Sequence, residues 1–199
     1  MNIVEKCIAW NAARYDQILD LDLAVSLLTE ETNELFEAGS DNVEVLDAIG
    51  DIVFVAMGIL WKAGMPDYVI EQLLGIDRAD EDIGTEAATH FQRMDAKLLY
   101  TMYPVALATV SEFSEEWDTF AAMNAALIAI YGIVLPRLMN MGMEEAFYDI
   151  VDAICNSNNT KVIKGKTDPS IKANIDKGTS FIPPTMALQR ILARYEIAA

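Results

Sequence analysis

Cysteine and histidine are nearly absent from this chain of 199 residues, which has two cysteines and one histidine. Cys7 and Cys155 are far apart and have no metal-binding spacing, so the sequence indicates no zinc site. His90 belongs to no Glu-x-x-His pattern, which argues against a di-iron carboxylate bundle because that fold needs histidine ligands on two helices. We expect both thiols to be free core residues in a reducing compartment. Glu5 interrupts the apolar run of a signal peptide, so the predicted location is cytoplasmic.

Basic residues are also scarce. The chain has 14 lysines and arginines against 31 aspartates and glutamates, a formal net charge of −17. Such a surface repels the backbones of DNA and RNA, so we expect no nucleic-acid partner. It also repels a free nucleotide unless divalent cations lie between the protein and the phosphates.

The alternation of apolar and polar residues that marks β-strands is missing. Glycine and proline are sparse before residue 157, and 53% of the residues are hydrophobic, which supports a sizeable core. The sequence therefore predicts a single all-α domain over residues 1–199, a helical bundle. The predicted helices cover about 3–19, 22–38, 43–63, a short stretch from 67, 79–114 with a break at Pro104, 119–136, 144–156 and 185–197.

Residues 119–136 carry no charge and are just long enough for a membrane span. Asp118 and Arg137 bound this segment closely, and Asn124 lies inside it. A helix buried on all sides within a helical protein has the same composition. We therefore expect a core helix and no membrane partner, with a membrane-associated helical protein as the alternative.

Acidic residues cluster on two consecutive predicted helices. In LLTEETNELFEA, Glu30, Glu31 and Glu34 span roughly one quadrant of the helix surface at about 100° per residue. In the next helix Asp47 and Asp51 lie four residues apart on one face, and the ten residues after Asp51 are uncharged. A helix that apolar is expected to be buried, where an uncompensated carboxylate is costly.

These carboxylates favour a cation site. Few lysines or arginines lie nearby in sequence, whereas acid clusters on two adjacent antiparallel helices form the oxygen-rich environment that Mg²⁺ or Mn²⁺ prefers. Such ions neutralise phosphates and activate water for attack on a phosphoanhydride, with a carboxylate as base. The plainer alternatives are a solvated acidic face on the first helix and a locally bonded aspartate on the second.

The acid motifs resemble those of MazG-like and dimeric-dUTPase-like all-α nucleoside triphosphate pyrophosphohydrolases, in the phosphoribosyl-ATP pyrophosphohydrolase-like superfamily. EETNE at 30–34 matches the Glu-Glu-x-x-Glu motif of that family, and DAIGDIVFV at 47–55 is similar to its second acidic helix. Ala48 stands where many members have glutamate, and Asp47 is its nearest replacement. The resemblance implies five metal ligands, with one of the three glutamates acting on the attacking water. These ligands are Glu30, Glu31, Glu34, Asp47 and Asp51.

A third motif lies far downstream in a lysine-bearing loop. CNSNNTKV resembles the family's Ser-Asn-x-(Ser/Thr)-Lys segment at Ser157, Asn158, Thr160 and Lys161. By this resemblance Asn158 and Lys161 contact the nucleotide. Residues 157–199 are then a nucleotide-facing loop and terminal helix, 1–65 hold the catalytic carboxylate helices, and 66–156 are inserted or second-half helices.

Two further segments extend the resemblance. KGTSFIPP at 177–184 resembles a tail found in one branch of the family, which implies that Lys177 also contacts the substrate. The opening helix, with Trp10, Asn11 and Arg14 in AWNAARY, is similar too. This resemblance links Trp10 and Asn11 to recognition of the base.

The sequence also contains a candidate internal repeat. AMGILWKAGM around Gly58 and IYGIVLPRLMNMGM around Gly132 both end in Gly-Met. Aligning the two glycines places Asp51 on Ala125, so a second copy has kept the core pattern and lost the acids. Short relatives dimerise to complete their sites. The resemblance therefore implies a homodimer or a pseudo-dimeric monomer with a degenerate second half.

The resemblance implies Mg²⁺-dependent hydrolysis of a (deoxy)nucleoside triphosphate to the monophosphate and pyrophosphate. A pyrimidine such as dUTP or dCTP is the expected substrate, and phosphoribosyl-ATP is a rival within the same fold. The alternative from another class is a catalytically inactive helical protein that binds nucleotide or metal for regulation. Ala48 and the acid-free second half motivate that alternative.

Overall fold

The computed structural model describes residues 1–75, 115–162, 165–168, 170–172 and 177–197, with the backbone alone at 115–118 and 120. All regular elements in these ranges are helices, which confirms the all-α prediction for the described part of the chain. The helix predicted over 79–114, including Pro104 and His90, lies outside the described residues.

The first four helices follow one another closely. They are α1 (Ile3–Ala12), α2 (Leu21–Glu37), α3 (Asn42–Lys62) and α4 (Asp67–Leu73). Asp20 and Asp41 begin α2 and α3, because their carboxylates accept hydrogen bonds from backbone N–H groups of the first turn. The observed bounds of these two helices differ from the predicted ones by one residue at each end.

Helix α1 ends at Ala12, earlier than the predicted end at Leu19. The backbone N–H of Arg14 donates to the carbonyl of Asn11 at 2.9 Å. The Arg14 guanidinium donates to the carbonyl of Trp10 at 3.0 Å. These bonds satisfy the last carbonyls of α1 and turn the chain toward α2, which the apolar pattern of the sequence does not reveal.

The later elements complete the bundle. They are α5 (Glu115–Ile128), a π-helical segment (Ala129–Val134), α6 (Leu135–Met141), a 3-10 turn (Glu144–Ala146), α7 (Phe147–Asn159) and α8 (Thr185–Arg194). Helix α7 extends three residues beyond its predicted end, and α8 ends three residues before its own.

The apolar helix predicted over 119–136 therefore contains a change of helix type. Pro136 has no backbone N–H and its ring crowds the preceding turn, so a regular α-helix cannot continue through it unchanged. The N–H of Leu135 bonds to the carbonyl of Ile130, five residues back. The π-helical segment thus accommodates the proline within a continuous helical run.

Length and composition alone leave one membrane-span candidate among the described residues, Ala121–Met141. More than half of its most apolar window is buried inside the protein. That burial matches the predicted core helix, since a helix that is apolar all round is satisfied by packing against other helices.

Helix α3 is at the centre of the packing. It contacts α1, α2, α5, α7 and α8, and most of its residues from Val43 to Leu60 are buried. Gly50 permits the close approach of α7, because a Cβ at that position would overlap the side chain of Ile154. The burial predicted from the uncharged run after Asp51 is confirmed.

Both cysteines are buried and free, as predicted. The Cys7 thiol donates to the carbonyl of Phe54 at 3.3 Å. Burial raises the pKa of Cys155 to about 12, with the charges of Asp152 and Asp51 acting in the same direction and that of Lys6 against it. Both groups therefore stay protonated and act as core residues.

Candidate functional site

The acids singled out in the sequence lie together where α2 packs against α3. Burial, together with the nearby charges of Asp51, Glu34 and Glu30, raises the pKa of Glu31 to about 8. Burial also raises the pKa of Asp51 to about 7, with Asp47 and Glu34 adding to the effect. The structure thus brings carboxylates of both helices within electrostatic reach of one another.

Asp47 belongs to the same cluster. Burial raises its pKa to about 6, and the charges of Glu44 and Glu34 act in the same direction. Lys161 and Lys177 oppose this rise. Asp47 is therefore within electrostatic reach of Glu34 on α2 and of two lysines from the C-terminal part of the chain.

The end of α7 supplies polar groups that face these acids. The buried Asn158 side chain makes a hydrogen bond with Asp51, which lowers the pKa of that carboxyl. The Asn158 carbonyl accepts a bond from Trp10 Nε1 at 3.0 Å. Burial lowers the pKa of the Lys161 ammonium, and the charges of Asp51, Asp47 and Glu31 oppose that change. An amide and an ammonium group from one helix end thus meet the acids of α3.

Lys177 reaches the same place from the tail. Its Nζ lies 5.0 Å from the ring centroid of Phe181, and Lys161 Nζ lies 5.9 Å from the same centroid. The Thr160 hydroxyl accepts a bond at 2.9 Å from the backbone N–H of the residue after Phe181. The Phe181 ring and the hydrogen bond to the Thr160 hydroxyl thereby keep Lys161 and Lys177 near the end of α7.

A cavity of about 180 Å³ opens beside the carboxylates, between α1, α2 and α3. Its middle is apolar and aromatic. One end is charged and is lined by Glu31, Asp51, Lys161 and Lys172. The opposite end is lined by Tyr15, Asp20 and Lys62.

Side chains of α1 form the wall between the two ends of the cavity. Trp10 and Phe54 pack edge to face with their centroids 5.1 Å apart, and the Arg14 guanidinium lies 4.0 Å from the Trp10 centroid. Gly58 lets the Asn11 amide lie against α3, because a Cβ there would be 3.1 Å from both terminal atoms of that amide. Trp10 and Asn11, the residues predicted to contact the base, both line the cavity.

The donor set fits a hard divalent cation in charge and ligand type, since all five predicted ligands are carboxylates. Among the described residues, no group of three or more His, Cys, Asp or Glu side chains is placed to hold one ion between them. The Glu30 carboxylate instead accepts bonds from Lys172 Nζ at 2.6 and 2.7 Å. Binding of an ion by these residues therefore requires their side chains to move, and Glu30 to leave Lys172.

Sequence reasoning missed two lysines that line the cavity. Lys62 Nζ lies 3.7 Å from the Tyr15 ring centroid and shares one stripe of α3 with Asp51, at eleven residues' distance. Helical periodicity can find that residue. Lys172 lies 142 residues from its partner Glu30, so no local pattern joins them.

Comparisons of the chain with models of protein families, with curated proteins and with solved structures find no match. The inference about function therefore depends on the chemistry of the site and on the motifs in the sequence.

Proposed function

We propose that the protein is a Mg²⁺-dependent nucleoside triphosphate pyrophosphohydrolase of the MazG-like all-α kind. The observation that carries the proposal is a set of mutually repelling carboxylates, of which Glu31 and Asp51 are partly buried at the charged end of an aromatic-walled cavity that Asn158 and Lys161 also line. Titratable groups shifted by burial and by one another within a cleft are frequent at functional sites. The acids account for cation binding, and the amide and lysine account for binding of phosphates.

The proposed ligands are the five carboxylates of α2 and α3. A bound Mg²⁺, or Mn²⁺ in its place, supplies neutralisation of phosphate charge and polarisation of the attacking water. Glu30, Glu31 or Glu34 orients that water and accepts its proton. Lys161 and Lys177 donate to the phosphate oxygens, and the Asn158 amide donates beside them.

The size of the cavity favours a base with a single ring. A cavity of about 150 Å³ in another protein accommodates benzene, so about 180 Å³ holds a pyrimidine while the sugar and phosphates extend to the charged end. Trp10 offers an aromatic surface and Asn11 an amide for hydrogen bonds. A pyrimidine deoxynucleotide such as dUTP or dCTP is therefore the proposed substrate, and phosphoribosyl-ATP is its rival.

The packing also supports a pseudo-dimeric monomer. Helix α5 and the π-helical segment, which contains Gly132, pack directly against α3, which contains Gly58. The candidate repeat thus brings the corresponding helices of both halves into contact. A cytoplasmic location, with neither a nucleic acid nor a membrane as partner, completes the proposal.

The test is the release of pyrophosphate from ribo- and deoxynucleoside triphosphates and phosphoribosyl-ATP, with Mg²⁺ and with EDTA. We expect release that depends on the metal and is fastest with a pyrimidine. If no nucleotide is cleaved in Mg²⁺ or Mn²⁺, the hydrolase proposal is wrong.

One observation favours the alternative of an inactive nucleotide- or metal-binding protein. The carboxylates of the described residues do not converge on one ion, and the buried Ala48 stands where many MazG-like proteins have glutamate. For such a protein, Mg²⁺ raises the melting temperature but no pyrophosphate is released. The same panel therefore distinguishes both candidates.

A further inference from the structure

Among the described residues, Lys172 makes a direct contact between a cation and the acid cluster. Its Nζ lies 2.7 and 2.6 Å from the two carboxylate oxygens of Glu30. The same lysine lines the charged end of the cavity beside Lys161. None of the sequence motifs assigned a role to it.

The ammonium group faces more than one acid. Burial lowers the pKa of Lys172, but the hydrogen bond with Glu30 and the charges of Glu30, Glu31 and Glu34 outweigh that effect and raise it. These are the three α2 glutamates proposed as metal ligands. The ammonium therefore supplies, at this edge of the cluster, part of the positive charge that a divalent ion brings.

The segment that carries Lys172 has its own anchors. The N–H of Thr167 donates to the carbonyl of Arg14 at 2.6 Å, and Lys166 pairs with Asp16. Both contacts lie at the end of α1, away from the carboxylates. The lysine can leave Glu30 while the segment keeps its place against α1.

The Lys172–Glu30 pair is easy to displace. Its two side chains are 52% and 44% exposed, and ion pairs exposed to this extent contribute little to stability because water and salt screen them. A divalent ion that binds several carboxylates at once competes well against a single ammonium group.

We propose that Lys172 occupies Glu30 in place of the divalent ion in the metal-free protein, and moves to the phosphates of the nucleotide once the ion is bound. The first step rests on the metal site of the proposed function, and the second step rests also on its nucleotide substrate. Competition between lysine and metal requires no turnover. The lysine thus partly neutralises the acids before the ion binds, and donates to the phosphates of the nucleotide afterwards.

The test compares Lys172→Met with Arg194→Met, which removes one positive charge from an exposed ion pair with Asp149, outside the cluster and outside the segment that carries Lys172. Binding of Mn²⁺ is measured by the electron paramagnetic resonance of the free ion. We expect Lys172→Met to bind Mn²⁺ about 2- to 5-fold more tightly than Arg194→Met. Equal affinities in both variants would overturn the proposal.

The second step is tested with α,β-methylene dUTP in saturating Mn²⁺, since this analogue resists cleavage between the α and β phosphates. We expect Lys172→Met to bind it at least about 10-fold more weakly than the control variant, through loss of a charge-assisted bond. An unchanged affinity overturns the move to the phosphates. If the wild type cleaves no nucleotide, the proposed function fails, and the Mn²⁺ comparison still decides the first step.

Discussion

The two long interfaces of α3 differ in how they are filled. Against α7 the helix is closed, because Gly50 leaves no room for a Cβ beside Ile154. Against α2 it leaves a cavity of about 180 Å³, with Glu31 and Asp51 at one end. The α3–α7 interface is built for close packing, whereas the α2–α3 interface holds carboxylates with unfavourable charges.

This difference separates stability from function along a single helix. Close packing of apolar side chains stabilises a fold, while buried carboxylates of like charge destabilise it unless a cation is bound. Changes at the α3–α7 interface should therefore alter stability, and changes at the α2–α3 interface should alter activity. Four predictions follow from this comparison, in order of decreasing effect.

The largest effect is expected from Asp51→Asn and Glu34→Gln. Each removes a charge from the proposed metal and water site, so pyrophosphate release should fall by a factor on the order of 10² or more. The melting temperature in EDTA should stay the same or rise, because a repelling charge is gone. Steady-state release of pyrophosphate and thermal unfolding measure both.

Glu37→Gln is the matched control for these variants. Glu37 is exposed on α2, one turn beyond the cluster, and its loss should leave turnover within about twofold of the wild type. Equal losses of turnover in Glu37→Gln and Glu34→Gln would contradict the assignment of the cluster.

The second prediction concerns the closed interface. In Gly50→Ala the new methyl group meets Ile154, and overpacking of this kind should lower the free energy of unfolding by about 1–3 kcal/mol. Gly58→Ala is the milder comparison, because its Cβ would lie 3.1 Å from the Asn11 amide, whereas the Cβ of Gly50→Ala would lie 2.2 Å from Ile154. Urea unfolding compares the two.

A double variant sharpens this prediction. Replacing Ile154 by Ala in the Gly50→Ala background removes the clashing side chain, so the two changes should cost less together than their sum. Strict additivity would show that the methyl group and Ile154 do not meet.

The sequence predicts α2 and α3 well because their signals are local. Asp20 and Asp41 lie directly before the apolar stripes, and each accepts a bond from the first turn of its helix. The acid cluster is predictable for the same reason, since Asp47 and Asp51 share a face through helical spacing alone.

The missed features depend on contacts between distant segments. Helix α1 stops at Ala12 although apolar residues continue, because Gln17 bonds to the carbonyl of Trp61 at 2.8 Å and Thr167 bonds to the Arg14 carbonyl. The position of Lys172 depends on the path of the whole chain. Neither can be read from a local pattern, since each requires knowledge of how the helices pack.

The third prediction is a pH dependence of stability in EDTA. Folding raises the pKa of Asp47, Asp51 and Glu31 to about 6, 7 and 8, so the folded state holds protons that the unfolded state has released. Their contribution to stability is complete below the ordinary carboxyl range and is lost as pH rises through about 6–8. The free energy of unfolding should fall between pH 5 and 8 by at least about 1 kcal/mol, after allowance for solvent screening of these partly exposed groups.

Glu37→Gln again serves as the control, and separates the effect of the acid cluster from that of the general negative charge of the protein. Asp51→Asn should flatten this dependence, whereas Glu37→Gln should keep the wild-type slope. Stability that stays constant or increases between pH 5 and 8 in EDTA would show that these acids are not buried together.

The smallest effect is expected from Phe181→Leu. The ring lies near the ammonium groups of Lys161 and Lys177, and an exposed contact between a cation and a ring is worth about 0.5–1 kcal/mol. Nucleotide affinity should therefore weaken by about 2- to 5-fold, while the melting temperature changes little. Titration with α,β-methylene dUTP measures the change, and a loss above 100-fold would mean that the ring itself contacts the substrate.

The π-helical segment has a consequence for the candidate repeat. A π turn takes in about one extra residue, so side chains after it are rotated by about 100° relative to those before it. If α3 and the 115–141 helices share an ancestor, corresponding side chains point to the same side of the two helices only up to this segment. The position that corresponds to Lys62 is then Pro136, which has no charge and lies beyond the phase break. Among the described residues, any ancestral symmetry therefore ends at Ala129–Val134, and the cavity end lined by Tyr15, Asp20 and Lys62 belongs to the first half alone.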